Sequence, residues 1–143
     1  MKPTFAYSLA LACGILLSSI ASQPCRADDA PKPAQAENHV THVDAEGAAK
    51  LVDAKTVKVI DVRTPAEFQE GHINGAVNID FNGKDFAAQV GKLDKDQAYL
   101  VHCASGGRST KALPTFEQLG FTKIYHLDHG LKAWKSAGQP VTK

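Results

Sequence analysis

Cysteine is scarce in this chain, with only Cys13, Cys25 and Cys103 in 143 residues. An excess of either charge is missing too, since 16 Lys and Arg stand against 15 Asp and Glu. Such balance gives no basis for nucleic-acid binding or for attraction to an anionic membrane. One long apolar stretch occurs, Phe5 to Ile20, and it is short for a membrane span. No internal repeat is present, and the length suits one domain rather than two.

The N-terminal stretch has its own logic. Lys2 supplies a positive start, the apolar run follows, and Cys25 and Ala27 are small residues at the −3 and −1 positions of a cut before Asp28-Asp29. This is the layout of a secretory signal peptide, expected over residues 1–27, with a retained N-terminal anchor as the alternative. A lipoprotein is a weaker reading, because neither Cys13 nor Cys25 follows a Leu-plus-small-residue tripeptide. The processed protein is then expected to be periplasmic or secreted, without stable membrane association. Losing Lys2 and Arg26 leaves 14 basic residues against 15 acidic ones, a net charge of −1 instead of +1. It also leaves Cys103 as the only thiol in an oxidising compartment, unable to form an internal disulfide. Such a thiol is either buried and inert or kept for its reactivity.

Residues 28–38 are Pro, Ala and charge without apolar periodicity, a flexible linker before a domain at 39–143. Within that domain short apolar runs alternate with amphipathic stretches. Val40 to Val43, Val57 to Val62, Ala76 to Ile79, Ala98 to His102 and Ile124-Tyr125 read as strands. Helices are expected after Asp44, with Ala48, Leu51 and Val52 inward, and over 66–70, where Thr64, Pro65 and Glu67 have capping-box spacing. Further helices are expected over 84–90, over 109–119 with Pro114 as an irregularity, and over 131–137 with Trp134 inward. Strands alternating with helices argue an α/β domain with a parallel sheet.

The chemistry concentrates in Val101-His102-Cys103-Ala104-Ser105-Gly106-Gly107-Arg108-Ser109. This segment leaves a buried strand, turns through two glycines and enters a helix, at the end of the sheet where α/β proteins bind ligands. The glycines let backbone N–H groups of Ala104 to Arg108 turn inward as an anion nest, with the helix dipole behind them. A thiol there loses its proton more easily than a free cysteine. Arg108 adds a fixed charge for an anionic donor, and the hydroxyls of Ser105 and Ser109 add donors.

Asp61 to Phe68 followed by Gly71 to Ile79, the loop within Tyr99 to Ser109, and Leu131 to Val141 together resemble the rhodanese family. The resemblance covers about residues 40–141. It implies a three-layer α/β/α sandwich with a five-stranded parallel sheet. It also implies sulfur transfer: four residues separate Cys103 from Arg108, a six-residue loop, whereas cysteine phosphatases of the tyrosine-phosphatase type place five residues between Cys and Arg. The implied enzyme is a thiosulfate sulfurtransferase, needing no cofactor, that carries sulfur on Cys103 from a small anionic donor to cyanide or a thiol. Alternatives are a persulfide carrier serving a thiol-protein partner, and a phosphatase or arsenate reductase on the same fold.

Other polar residues read as architecture. Arg63 and Glu67 are spaced to pair with each other or with Asp61, His72 ties loops together, and His102 points away from Cys103. His129-Gly130 stands where relatives show Gly-Gly, beside the active-site loop by resemblance; its imidazole either lines the pocket or is a tolerated substitution. His126 and His129 with one distant cysteine do not make a metal site, so no metal is expected.

Overall fold

The structure, a computed structural model, describes residues 39–143. The signal peptide expected at 1–27 and the linker expected at 28–38 lie outside the described residues. Five strands, β1 (His39–Val43), β2 (Lys58–Asp61), β3 (Val77–Asn78), β4 (Tyr99–His102) and β5 (Lys123–Leu127), form one sheet of order β1-β5-β4-β2-β3. Every neighbouring pair runs parallel. Five helices connect them: α1 (Ala45–Asp53), α2 (Pro65–Glu70), α3 (Phe86–Val90), α4 (Gly107–Gln118) and α5 (Gly130–Ser136).

The two faces of the sheet carry separate cores, as a parallel sheet covered on both sides requires. Tyr99, Val101 and Cys103 alternate onto one face with Ile60, Val62 and Ile124, under Phe86 and Val90 of α3 and Ala112 and Phe116 of α4. Val59, Leu100 and Leu127 point the other way, against Ala48 and Ala49 of α1 and Leu131 and Trp134 of α5. The result is the expected α/β/α sandwich. No helix among the described residues is long and apolar enough to cross a membrane.

Local signals explain most boundaries. Asp44 caps α1 by accepting the Gly47 N–H at 2.7 Å. Thr64 and Glu67 form the full capping box that starts α2, with Pro65 in its first turn. Ala48, Leu51 and Val52 of α1 face inward as expected, Leu51 and Val52 only partly buried at the edge of the core, and Ala45 and Ala49 join them. Differences from the sequence expectation are local. Strand β3 shrinks to two residues, and α3 starts at Phe86, where Asp85 makes no side-chain cap. Helix α4 begins at Gly107, two residues early, and runs through Pro114 to Gln118.

Connections from β2 to β3 and from β4 to β5 leave in opposite directions across the sheet. The carboxyl ends of β2 and β4 therefore flank a switch point, where open α/β sheets present a crevice. The Cys103 loop follows β4, and the segment from Val62 to Glu67 follows β2.

Candidate active site

Cys103 is the first residue past β4, and its residue surface is 1% exposed. It is therefore more enclosed than a thiol at the open mouth of a nest. Its sulfur is nonetheless surrounded by donors rather than by hydrocarbon alone. The Gly106 N–H reaches Sγ at 3.1 Å and the Ser109 hydroxyl lies at 3.5 Å. Burial pushes the thiol up. The Ser109 hydroxyl and the backbone N–H groups of Ser109, Ser105 and Gly106 outweigh it, so the net shift is downward. The amide hydrogen-bonded to the sulfur is that of Gly106, and those of Ser105 and Ser109 add to the downward pull.

The loop's turn depends on one glycine of its pair. Gly106 has φ +99, and a Cβ there would lie 3.4 Å from the His129 backbone nitrogen. Gly107 has no such constraint, since nothing lies within 4 Å of a Cβ built on it. It is simply the first residue of α4, correcting the expectation that both glycines shape the nest. Early helix onset puts Ser109 in the first turn, fully buried, with its hydroxyl 2.9 Å from the Gly106 carbonyl. Ser105 is exposed; its contribution to the sulfur is its backbone.

The start of α5 braces the loop from outside. Leu131 and Lys132 donate their N–H groups to the Cys103 and Ala104 carbonyls at 2.8 and 3.0 Å. Gly130, at φ +58, allows this approach, because a Cβ would sit 2.3 Å from the Cys103 oxygen. His129 precedes it at φ +58, a left-handed conformation that favours glycine. Its side chain is exposed, and its backbone is what packs against Gly106.

Arg108 does not stand free. Its Nη1 and Nη2 each donate at 2.7 Å to one oxygen of Glu67. The Arg108 hydrogen bonds hold the Glu67 carboxyl at about 2, against an ordinary 4.5, and the same bonds push Arg108 upward. Glu67 Oε2 also accepts the Thr64 N–H and hydroxyl, so one carboxylate caps α2 and grips the loop arginine. Of the expected pairings of Arg63 and Glu67, with each other or with Asp61, that of Arg63 with Asp61 forms, and Glu67 turns to Arg108 instead. Arg63 alone takes Asp61, through buried bonds of 2.6 to 3.0 Å, and donates to the Gly71 carbonyl.

The remaining histidines divide. His72 stacks on Phe68, with ring centroids 3.7 Å apart, and its backbone pairs with Thr142, so it does tie loops together. His102 is fully buried, with burial keeping its pKa low and Nδ1 3.2 Å from the Cys103 carbonyl. It holds backbone. His126, in contrast, places Nε2 2.8 Å from the Ser109 hydroxyl, joining the site from β5. Sequence reading missed Glu67 and His126 as site residues. The capping-box spacing marked Glu67 as placed, but nothing in it revealed the second partner.

Beside the loop lies a shallow cleft of about 320 Å³ lined by Arg63, Glu67, Glu70, Ala104, Lys132 and Lys135, with Leu131. Its two exposed lysines were not singled out in the sequence either.

Comparison with known proteins agrees with this geometry. Residues 44–137 match the family model described as "Rhodanese-like domain". The chain is 33% identical over 96 residues to the thiosulfate sulfurtransferase GlpE of Shewanella oneidensis, covering 67% of this chain and 93% of that protein. It is 36% identical over 94 residues to the chloroplastic thiosulfate sulfurtransferase 16 of Arabidopsis thaliana, covering 59% of this chain and 78% of that one. Among solved structures, a rhodanese-related protein from Thermoplasma volcanium superposes with a TM-score of 0.65 at 30% identity, covering 71% of this chain and 97% of the other.

Proposed function

Because this chain belongs to the rhodanese-like family, we propose that it is a sulfurtransferase moving sulfane sulfur from thiosulfate or a similar anionic donor to cyanide or a thiol. The observation that carries the reading is the convergence of the Gly106 N–H and the Ser109 hydroxyl on Cys103 Sγ. The same arrangement that favours a thiolate also stabilises a terminal persulfide anion.

The reaction is a double displacement. Cys103 thiolate attacks the outer sulfur of thiosulfate; the new S–S bond forms as the old one breaks, and sulfite leaves with the electron pair. The acceptor then attacks the outer sulfur of the persulfide. Cyanide leaves as thiocyanate, a thiolate as a new persulfide, and Cys103 thiolate is regenerated. No oxidant or reductant is consumed.

Charge at the rim suits anionic donors. Lys132 and Lys135 stand in the cleft beside Ala104. Arg108 spends two N–H groups on Glu67 and has others left, because a guanidinium carries five. Glu67 fixes the plane of Arg108, and Arg108 orients the donor. The leader at residues 1–27 supports an exported setting, with Cys103 the only thiol once it is removed.

Steady-state thiosulfate:cyanide kinetics on wild type and Cys103→Ser tests the assignment. Turnover by the wild type and none by the variant is expected; substantial thiocyanate from Cys103→Ser rejects it. A wild type that takes up one sulfur from thiosulfate but does not turn over would make it a persulfide carrier instead.

A further inference from the structure

His42 and His126 face each other in the parallel pairing of β1 with β5. Paired residues share a sheet face, here the α4 face to which Val40 and Ile124 also point. Asp128 follows directly, its N–H held by the Val43 carbonyl at 2.9 Å. Three ligand-type atoms converge as a result. Asp128 Oδ1 lies 2.8 Å from His42 Nδ1 and 3.1 Å from His126 Nδ1, and the two ring nitrogens are 3.3 Å apart.

A zinc ion bound at about 2.0–2.1 Å in tetrahedral geometry has ligand atoms about 3.3 Å apart. The triangle is therefore close to one face of such a tetrahedron. His126 is 3% exposed, whereas His42 and Asp128 are 56% and 42% exposed, so the site is anchored inside and open to water outside. Two imidazoles and one carboxylate suit a borderline transition metal better than Mg²⁺ or Ca²⁺, which take oxygen ligands.

Hydrogen-bond accounting at Ser109 points the same way. Its hydroxyl has one proton and three neighbours that could receive it: the Gly106 carbonyl at 2.9 Å, Cys103 Sγ at 3.5 Å and His126 Nε2 at 2.8 Å. With an empty triangle, a neutral His126 whose ring proton sits on Nδ1 toward Asp128 leaves Nε2 competing with the sulfur for the Ser109 proton. A cation on Nδ1 reverses this. Nε2–H then donates to Ser109, the usual outer-shell bond of a metal-ligating histidine, and the hydroxyl proton is released to Gly106 and to the sulfur.

We propose that His42, His126 and Asp128 bind one borderline divalent transition-metal ion of the Zn²⁺ class, at the outer end of a hydrogen-bonded chain that runs through Ser109 to Cys103. The ion is structural to that chain: it fixes the His126 tautomer and so aims the Ser109 hydroxyl. It takes no part in breaking S–S bonds. The site runs against the expectation of no metal, because the partners of His126 are His42 and Asp128 and not His129.

The test is equilibrium dialysis of the untagged, chelator-stripped full chain against Zn²⁺, with bound metal counted by elemental analysis. One Zn²⁺ per chain is expected, undisturbed by excess Mg²⁺. His42→Ala and Asp128→Asn should each weaken binding at least tenfold, and Cys103→Ser should leave it unchanged. His42 is half exposed on an edge strand, so His42→Ala reads the site even if Asp128→Asn disturbs the end of β5. Absence of stoichiometric zinc, undiminished binding by His42→Ala, or loss of zinc in Cys103→Ser overturns the proposal. Metal content is read without sulfur transfer, so failure here is separate from failure of the enzymatic reading.

Discussion

Glu67 and Arg108, 41 residues apart in the chain, meet in a two-point fork with both N–O distances at 2.7 Å. The fork joins the segment after β2 to the loop after β4 across the switch point of the sheet. It gives the arginine of the Cys103 loop a fixed plane.

That fork sets a pH dependence. Glu67 is lowered on folding from 4.5 to about 2, chiefly by the Arg108 hydrogen bonds. A carboxyl depressed in this way contributes stability that is fully present above its unfolded pKa and is lost as pH falls through the folded one. Glu67→Gln keeps a capping side chain but loses the charge. The stability gap between wild type and Glu67→Gln should be at most about 1 kcal/mol, since the pair is partly solvated. It should hold steady at neutral pH and close between pH 4.5 and about 2. Urea midpoints across that range measure it, and a gap indifferent to pH would contradict the pairing.

The two loop glycines should behave oppositely. Gly106→Ala forces a side chain to φ +99 against the His129 backbone, which should cost about 1–3 kcal/mol and misdirect the N–H that meets the sulfur. Gly107→Ala has open space and lies in a helix, and should stabilise by about 0.5–1 kcal/mol. Paired denaturation curves decide this; equal losses in both variants would mean the loop is built differently.

His129 carries a conformational cost that glycine would avoid. At φ +58 a non-glycine residue loses about 1 kcal/mol, so His129→Gly should raise stability by about that amount. Unchanged unfolding midpoints would show the backbone strain to be absent.

Ser109→Ala should make Cys103 less acidic. The hydroxyl is the strongest of the groups drawing the thiol down against burial. The pH midpoint for alkylation of the Cys103 peptide should therefore move up, toward the free-cysteine value of about 8.5. A midpoint that stays in place would assign the activation to the backbone amides alone.

Features written in local spacing were legible in the sequence. Thr64, Pro65 and Glu67 announced the start of α2, and the apolar run into Cys103 announced the central strand with its loop. The family resemblance supplied the layers of the sandwich. What escaped were contacts that depend on which strands become neighbours. His126 looked toward His129 by spacing, but the β1–β5 pairing brings His42 beside it from 84 residues away. Glu67 looked toward Arg63 for the same reason, and the pairing of β2 with β4 turned it toward Arg108. Gly107 looked like half of a turn because a dipeptide does not reveal which of its members takes the positive φ.

Double displacement requires sulfur to reside at Cys103 between two transfers. Peptide mass spectrometry after a short incubation with thiosulfate measures this directly. The expected result is one added sulfur on the Cys103 peptide, discharged by cyanide with an equal amount of thiocyanate released. A Cys103 peptide that stays unmodified while thiocyanate accumulates would contradict it.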